Sequence, residues 1–428
     1  MSYVTDESYQ SDTFNNVHLF IFMQQYGHKL SIKSIERKPF MKKNIDLIYF
    51  NAGGGHRASA RALEAVLKNS HPHWNVRLVN LFEVLDSRQV YKRVTGVAPE
   101  EFYNRQLAKG WTMAMTPELR ILQAFIRLTH QVMVKRLQEH WIETEPDMVV
   151  SLVPNFNRAM YDSLASSLPG VPYVTILTDL ADNAPHFWIE ENQQQHFICG
   201  TDKAMEQARA AGHPDSCVHG SSGMLLHPDF YRKPDIDRRE QLQAAGFDPD
   251  KPVGLVMFGG HGSKAMIKIA KQLSDVQMIY ICGHNAALAK KISKMQTRAH
   301  KLVEGFTTQM AVYMEMADFF IGKPGPGSIS EAIRKDMPVI VVSNKWTMIQ
   351  ERYNGEWITK NGLGIVLPSF AKINQAVHRL LDDLDRYKAN VRRQDNQAVF
   401  EVPGILENIL AQSELAQQAP VTASTIAS

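Results

Sequence analysis

Cysteine is scarce in this sequence. Cys199, Cys217 and Cys282 are the three in 428 residues, and no two are spaced as metal ligands or as a redox pair. A disulfide framework and a cysteine-built metal centre are therefore not expected; the thiols read as buried apolar groups in a reducing compartment. Excess charge is lacking too. The formal net charge is +3, too mild for a dedicated nucleic-acid binder, so no nucleic acid is expected as a partner. No apolar run approaches the roughly 18 residues of a spanning helix. No charged stretch followed by an apolar core opens the chain, so no secretory signal is expected. There is no G-x-x-x-x-G-K-[ST] stretch, hence no P-loop, and no solenoid-type repeat.

What is present is the composition of a soluble globular protein, 44% hydrophobic and 21% charged, too long for a single core. Residues 1–40 are polar and without a clear period, and read as an N-terminal extension. From Ile45 strands and helices alternate. Ile45–Phe50, Val76–Phe82, Asp147–Val153, Tyr173–Thr178 and Phe197–Cys199 are strand-like, with a helix over Ala58–Asn69. Continuous apolar strands separated by helices predict a parallel sheet covered on both faces. Between Leu225 and Pro252 the text turns loop-like, and then the pattern restarts. Val253–Phe258, Gln277–Cys282, Ala299–Phe306, Asp318–Ile321 and Pro338–Ser343 form the second set. The expected organisation is an N-terminal domain over 41–230 and a C-terminal domain over 250–372. Closing helices over 373–412 and a disordered tail over 413–428 complete it. Two doubly wound halves place a cleft between the carboxyl ends of their sheets.

One stretch, Ser87 to His140, breaks the alternation. Basic residues outnumber acidic ones there, and Trp111, Met113 and Met115 share one loop. Leu122, Phe125, Ile126, Val132 and Met133 then recur at helical spacing. A core helix with a solvated basic face explains this, and so does a surface resting on anionic lipid.

Three glycine turns carry the chemistry. Phe50–Ala60 reads FNAGGGHRASA: a strand, then Gly53-Gly54-Gly55, then His56 at the start of a helix. Glycines let a ligand approach the main chain, and the helix directs free N–H groups at it. The turn formally fits the dinucleotide pattern G-x-G-x-x-A. It lacks the acidic residue at the end of the second strand, where Glu83 comes late. The second turn, Gly259-Gly260-His261-Gly262-Ser263, could hold a diphosphate on main-chain N–H groups without a metal. Phe306 follows a strand on the same rim. In the third turn Gly325-Pro326-Gly327-Ser328 opens a helix in which Glu331 could accept both hydroxyls of a ribose. Gln350 and Glu351 follow the next strand and could bind sugar hydroxyls. Each has a plain structural explanation, Glu331 as a dipole-neutralising acid for example. Together they line the carboxyl ends of strands in one domain.

GGGHRASA, FGGHGS and GKPGPGSISEA, with QE some twenty residues on, resemble glycosyltransferase family 28, and within it the diacylglycerol glycosyltransferases. The resemblance covers about Ile45 to Leu410. It implies a GT-B fold: two Rossmann-like α/β domains facing a cleft. It implies a UDP-sugar as donor substrate and no cofactor or metal. It places uracil near Phe306, diphosphate near Gly262–Ser263 and Gly327–Ser328, ribose on Glu331, and sugar on Gln350 and Glu351. It further implies an inverting hexose transfer to a membrane lipid, with diacylglycerol foremost, by a cytoplasmic protein peripheral on an anionic inner membrane face. One position departs. Asn51 stands where the plant-type enzymes carry an aspartate proposed as general base, and an amide takes no proton. His56 is the next candidate for that role, followed by Asp179 at the end of strand Tyr173–Thr178. Small changes around Gln350-Glu351 or His186-Phe187-Trp188 would select the sugar. A UDP-N-acetylglucosamine 2-epimerase, sharing the architecture and the donor half, and a non-catalytic nucleotide-sugar sensor remain as alternatives.

Overall fold

The computed structural model describes residues 42–51, 54–86, 123–184, 186–233 and 235–418. All of them lie within one compact unit, Lys42–Ser428. The expected extension over residues 1–40, Gly53, and the loop with Trp111, Met113 and Met115 fall outside the described residues.

The first sheet is built from β1 (Lys43–Tyr49), β2 (Trp74–Asn80), β3 (Met148–Ser151), β4 (Tyr173–Ile176), β5 (His196–Cys199) and β6 (Val218–Gly220). All pairings are parallel, in the order β2-β1-β3-β4-β5-β6. Between them run α1 (Gly55–Ser70), α2 (Leu81–Leu85), α3 (His130–Thr144), α4 (Asn157–Ser167) and α5 (Asp202–Ala210). Ile45, Leu47 and Ile48 of β1 and every residue of β3 are buried, as a sheet covered on both faces requires. Helix α1 is rich in alanine, a strong helix former. It buries Ala60, Leu63, Val66 and Leu67, spaced as one helical stripe.

The second sheet comprises β7 (Val253–Met257), β8 (Gln277–Ile281), β9 (Lys301–Glu304), β10 (Phe319–Gly322), β11 (Val339–Val342) and β12 (Gly364–Leu367). It too is all parallel, in the order β12-β11-β10-β7-β8-β9. Helix α6 (Arg238–Ala244) precedes it. Helices α7 (Ala265–Gln272), α8 (Ala286–Ser293), α9 (Met310–Met316), α10 (Pro326–Arg334) and α11 (Arg352–Lys360) cover its faces. Then come α12 (Ile373–Leu381), α13 (Leu384–Arg392) and α14 (Ala398–Gln418).

In both sheets the order in which strands are added reverses once, between β1 and β3 in the first and between β7 and β10 in the second. Such switch points open a crevice at the carboxyl ends of the strands, where ligands of doubly wound sheets sit. Every glycine turn of the sequence analysis leaves a strand at one of these points.

Several elements differ from expectation. Strands β6 and β12 are short edge strands without a run long enough to stand out. The loop-like text before Pro252 contains α6, whose Leu242 packs with Phe230 and Phe247 into the core of the second half. The closing helices do not stay on that half. Val399, Val402, Leu406 and Ile409 of α14 pack against Ala60, Leu63 and Leu67 of α1, so the chain end returns to the first half. Residues 413–418, expected as tail, continue that helix. The apolar stripe expected through 122–133 divides at a turn at Thr129, after a helix over 123–128. Ile126, Met133, Leu137 and Trp141 are buried, while Phe125, Leu128 and Val132 are exposed. Among the described residues no helix is long and apolar enough to cross a membrane.

Candidate active site

The first half contributes a tight aromatic and acidic cluster. Gly54 precedes α1 with φ of +84°, a left-handed conformation that glycine adopts without a Cβ penalty. That turn swings Gly55 and His56 over the end of β1, where Asn51 also lies. The His56 ring sits 4.6 Å from the Phe50 ring and 5.8 Å from the Trp188 ring. Its Nδ1 is 3.0 Å from Thr178 Oγ1, just beyond β4. Burial pulls the imidazole pKa down to about 4, with a hydrogen bond to the Leu152 carbonyl pulling the other way. The ring is neutral at neutral pH.

Asp179, the next residue along, is buried. Trp188 Nε1–H donates to its Oδ2 at 2.9 Å. Burial pushes the carboxyl up to about 7, against the stabilising Trp188 bond; the charges of Glu351 and Asp182 push further up and that of Lys323 pushes down. Glu351 and Lys323 belong to the second half, so Asp179 looks across the cleft. The loop bearing Trp188 is fixed by buried hydrogen bonds. The Trp188 main-chain N–H donates to Asp182 at 2.8 Å. Asn157 Nδ2 donates to the Trp188 carbonyl at 3.0 Å, and Asn157 Oδ1 accepts from Ser151 and Tyr173. Ala184 and His186 hold left-handed backbone there, with φ of +64° and +62°. Such strain persists only where surrounding contacts impose it. Phe187 and Trp188 are buried, so this stretch, expected to select the sugar, supports Asp179 from behind instead.

The second half contributes open main chain. After β7, Gly262 N–H bonds the Gly259 carbonyl at 3.2 Å and closes the turn. A Cβ on Gly262, at φ of +60°, would meet Leu288 Cδ2 at 2.7 Å and the Cys282 carbonyl at 3.0 Å; only glycine fits. A Cβ on Gly259, Gly260 or Gly327 would meet nothing within 4 Å. That free space is room for a ligand against the backbone. Ser263 Oγ accepts from the Ala265 N–H at 3.2 Å as α7 begins. In α10 the first intrahelical bond is Ile329 N–H to Gly325 O, at 3.1 Å. The Gly327 and Ser328 N–H groups precede it at the positive end of the helix.

Phe306 is 60% exposed beyond β9. Its ring stacks on His284 at 4.2 Å and 15°. A flat, exposed, backed aromatic is a platform for a planar base. Glu331, one turn inside α10, has its carboxyl pushed up to about 7 by burial alone. Its side chain makes no hydrogen bond or ion pair with a described residue. Gln350 is half-buried in the short 3-10 helix Ile349–Glu351. Glu351 is buried, and Lys323 Nζ donates to its Oε1 at 2.8 Å.

The structure thus brings His56, Asp179 and Asn51 to one wall of the cleft. Gly259, Gly260, Gly262, Ser263, Phe306, Gly325, Gly327, Ser328, Glu331, Gln350 and Glu351 stand on the other. Sequence reasoning missed Thr178, Asp182, His284 and Lys323, and it singled out Trp188 for sugar selection rather than for its hydrogen bond to Asp179. Only Lys323 left a signal, as a cation inside a glycine turn.

Comparison with known proteins agrees with this geometry. Residues 255–409 match the glycosyltransferase family 28 C-terminal domain. Monogalactosyldiacylglycerol synthase 1 of Arabidopsis thaliana is 26% identical over 368 residues, which cover 80% of this chain and 64% of that protein. The chain therefore spans slightly less than two thirds of that relative. The probable monogalactosyldiacylglycerol synthase 2 of Oryza sativa subsp. japonica is 25% identical over 421 residues, 91% of this chain and 84% of that protein. Among solved structures, the calicheamicin glycosyltransferase CalG4 superposes with a TM-score of 0.57 at 14% identity, covering 87% of this chain and 99% of that one. A putative UDP-N-acetylglucosamine 2-epimerase from Listeria monocytogenes gives 0.54 at 14% identity, over 88% and 98%. The fold is GT-B, and a transferase and an epimerase share it. With the relatives added, residues 255–409 carry a glycosyltransferase family 28 C-terminal domain, and the chain is similar over most of its length to monogalactosyldiacylglycerol synthases.

Proposed function

We propose that this enzyme transfers a hexose from a UDP-sugar to a hydroxyl of a membrane lipid, with diacylglycerol as acceptor and with inversion at the anomeric carbon. One observation carries the reading: both switch points open on the same cleft, with the acid–base groups on one side and the open glycine turns on the other. Phe306 takes the uracil, Glu331 the ribose, and the turns before α7 and α10 the diphosphate. Negative charge grows on the departing UDP, and preorganised N–H groups at two helix starts stabilise it where it forms. The lipid identity of the acceptor draws support from the relatives' names and from the exposed Phe125, Leu128 and Val132 beside Arg127 and Lys135.

His56 is assigned as the base. A bound diphosphate places negative charge in the cleft. That raises the pKa of the imidazole from about 4 towards the working range and that of Asp179 upward from about 7. Asp179 then carries a proton and donates a hydrogen bond rather than accepting the acceptor's proton. His56 takes that proton as the acceptor oxygen attacks the anomeric carbon opposite the departing UDP.

The test is UDP release by the full chain with UDP-galactose, UDP-glucose and UDP-N-acetylglucosamine in turn. Each is offered with and without vesicles of diacylglycerol and anionic lipid. Release that requires the vesicles, with a glycolipid product, is expected. Release without lipid favours epimerisation or hydrolysis, and saturable UDP binding without turnover favours a sensor.

A further inference from the structure

The pair formed by Lys323 and Glu351 has no part in holding the fold's core, yet it is built with care. Lys323 is the first residue beyond β10, at the second switch point. Glu351 comes 28 positions later, in the 3-10 helix after β11, and their contact is 2.8 Å. The Glu351 side chain is 7% exposed, whereas that of Lys323 is 43% exposed and opens to the cleft. The turn between β10 and α10 is pinned. Asn354, fully buried, donates through Nδ2 to the Pro324 carbonyl at 2.6 Å. A Cβ on Gly325 would lie 3.1 Å from Lys323 Cε and 3.6 Å from Glu351 Oε1, so the ion pair lies flat against the start of α10. The charges of this pair act on Asp179 of the first half.

We propose that Lys323 and Glu351 act together as a donor–acceptor fork that reads two neighbouring hydroxyls of the transferred sugar, making Lys323 a specificity-determining residue. This rests on the transferase reading above. An ammonium has three N–H donors, and Glu351 occupies one of them. A carboxylate has acceptor sites to spare once one oxygen is paired. Side by side, they offer a donor to one hydroxyl oxygen and an acceptor to the next hydroxyl proton. Adjacent sugar oxygens stand at about the same spacing as a hydrogen-bonded pair. Inverting one carbon of the diol turns one hydroxyl away and leaves a buried charged group unmatched. A site built on hydrogen bonds rejects that strongly.

The experiment compares the wild type with Lys323→Met by calorimetry, measuring affinity for UDP alone, UDP-galactose and UDP-glucose. UDP affinity is expected to stay within about twofold. The ratio of affinities for the two sugar nucleotides, which differ only at one carbon of the ring, is expected to fall about tenfold or more. Lys323→Arg keeps the charge and serves as second variant; it should regain part of the ratio. Three results overturn the proposal: a wild type indifferent to the two sugars, an unchanged ratio in Lys323→Met, or an equal loss for UDP and both sugar nucleotides. The last would assign the ammonium to the diphosphate. Because these are binding measurements, they stand apart from turnover. Loss of vesicle-dependent UDP release with the sugar ratio responding as expected would sink the lipid-transfer reading and leave the fork intact.

Discussion

The two halves share a strand–glycine turn–helix device and use it in opposite ways. In the first half the turn is short, α1 starts at Gly55, and His56 is thrust into a desolvated aromatic pocket. Two titratable groups there have displaced pKa values: His56 at about 4 and Asp179 at about 7. In the second half the turn is wider and α7 begins only at Ala265. Its walls are main-chain N–H groups and open glycines. The difference teaches a division of labour. Low dielectric around a side chain tunes proton chemistry. An unobstructed backbone at a helix start binds anions without needing a tuned group. The same topology supplies both, depending on whether a side chain or a ligand fills the space.

That contrast can be broken by experiment. The largest effect is expected in the first half. His56→Ala should cut turnover by about 10²–10⁴-fold, the usual share of a general base, and leave UDP affinity within about twofold. A mutant of full speed removes the base assignment; a mutant that no longer binds UDP merges the two halves' roles. Phe306→Ala should do the reverse. Loss of a stacked base costs about 1–3 kcal/mol, so UDP affinity should drop about 5–150-fold. Phe306 lies at the surface, and the melting temperature should hold.

Glu331→Gln should weaken UDP-sugar binding by about tenfold at pH 8. Its carboxyl has a pKa of about 7 in the folded protein. As an ionised acceptor for ribose hydroxyls it binds better when deprotonated. Wild-type affinity for a UDP-sugar should therefore rise as pH passes upward through 7, and the variant should lose that rise. A flat wild-type profile contradicts the ribose role.

The smallest effect concerns Asp179. If it works protonated, Asp179→Asn should lose only a few-fold in turnover. In Glu331→Gln, which removes the ribose group's own titration near 7, the acid limb of kcat/KM against pH, which reports free-enzyme groups, should then lie well below 6. A limb near 7 would hand the base role to Asp179. Stability gives a second reading of the same group. Its folded pKa lies above the unfolded value of about 3.9, so its contribution to stability is lost as pH rises from there through 7. Asp179→Asn should consequently melt higher than wild type at pH 8, with the gap narrowing towards pH 5.

By itself the sequence determined the alternation of apolar strands and helices, and hence two parallel α/β halves. Central strands such as β3 and β10 read as continuous apolar runs because both of their faces are buried. It also marked the glycine turns, since positions such as Gly54 and Gly262 demand residues without a Cβ. Only the tertiary structure decided the rest. Short edge strands such as β6 and β12 bury too little to leave a pattern. The return of α14 to α1 joins residues more than 300 positions apart, and no local period records that. The environment of Asp179 depends on Trp188 behind it and on Lys323 and Glu351 facing it across the cleft. A residue type specifies what a group can do, and the field and solvent that set its pKa come from neighbours which only folding assembles.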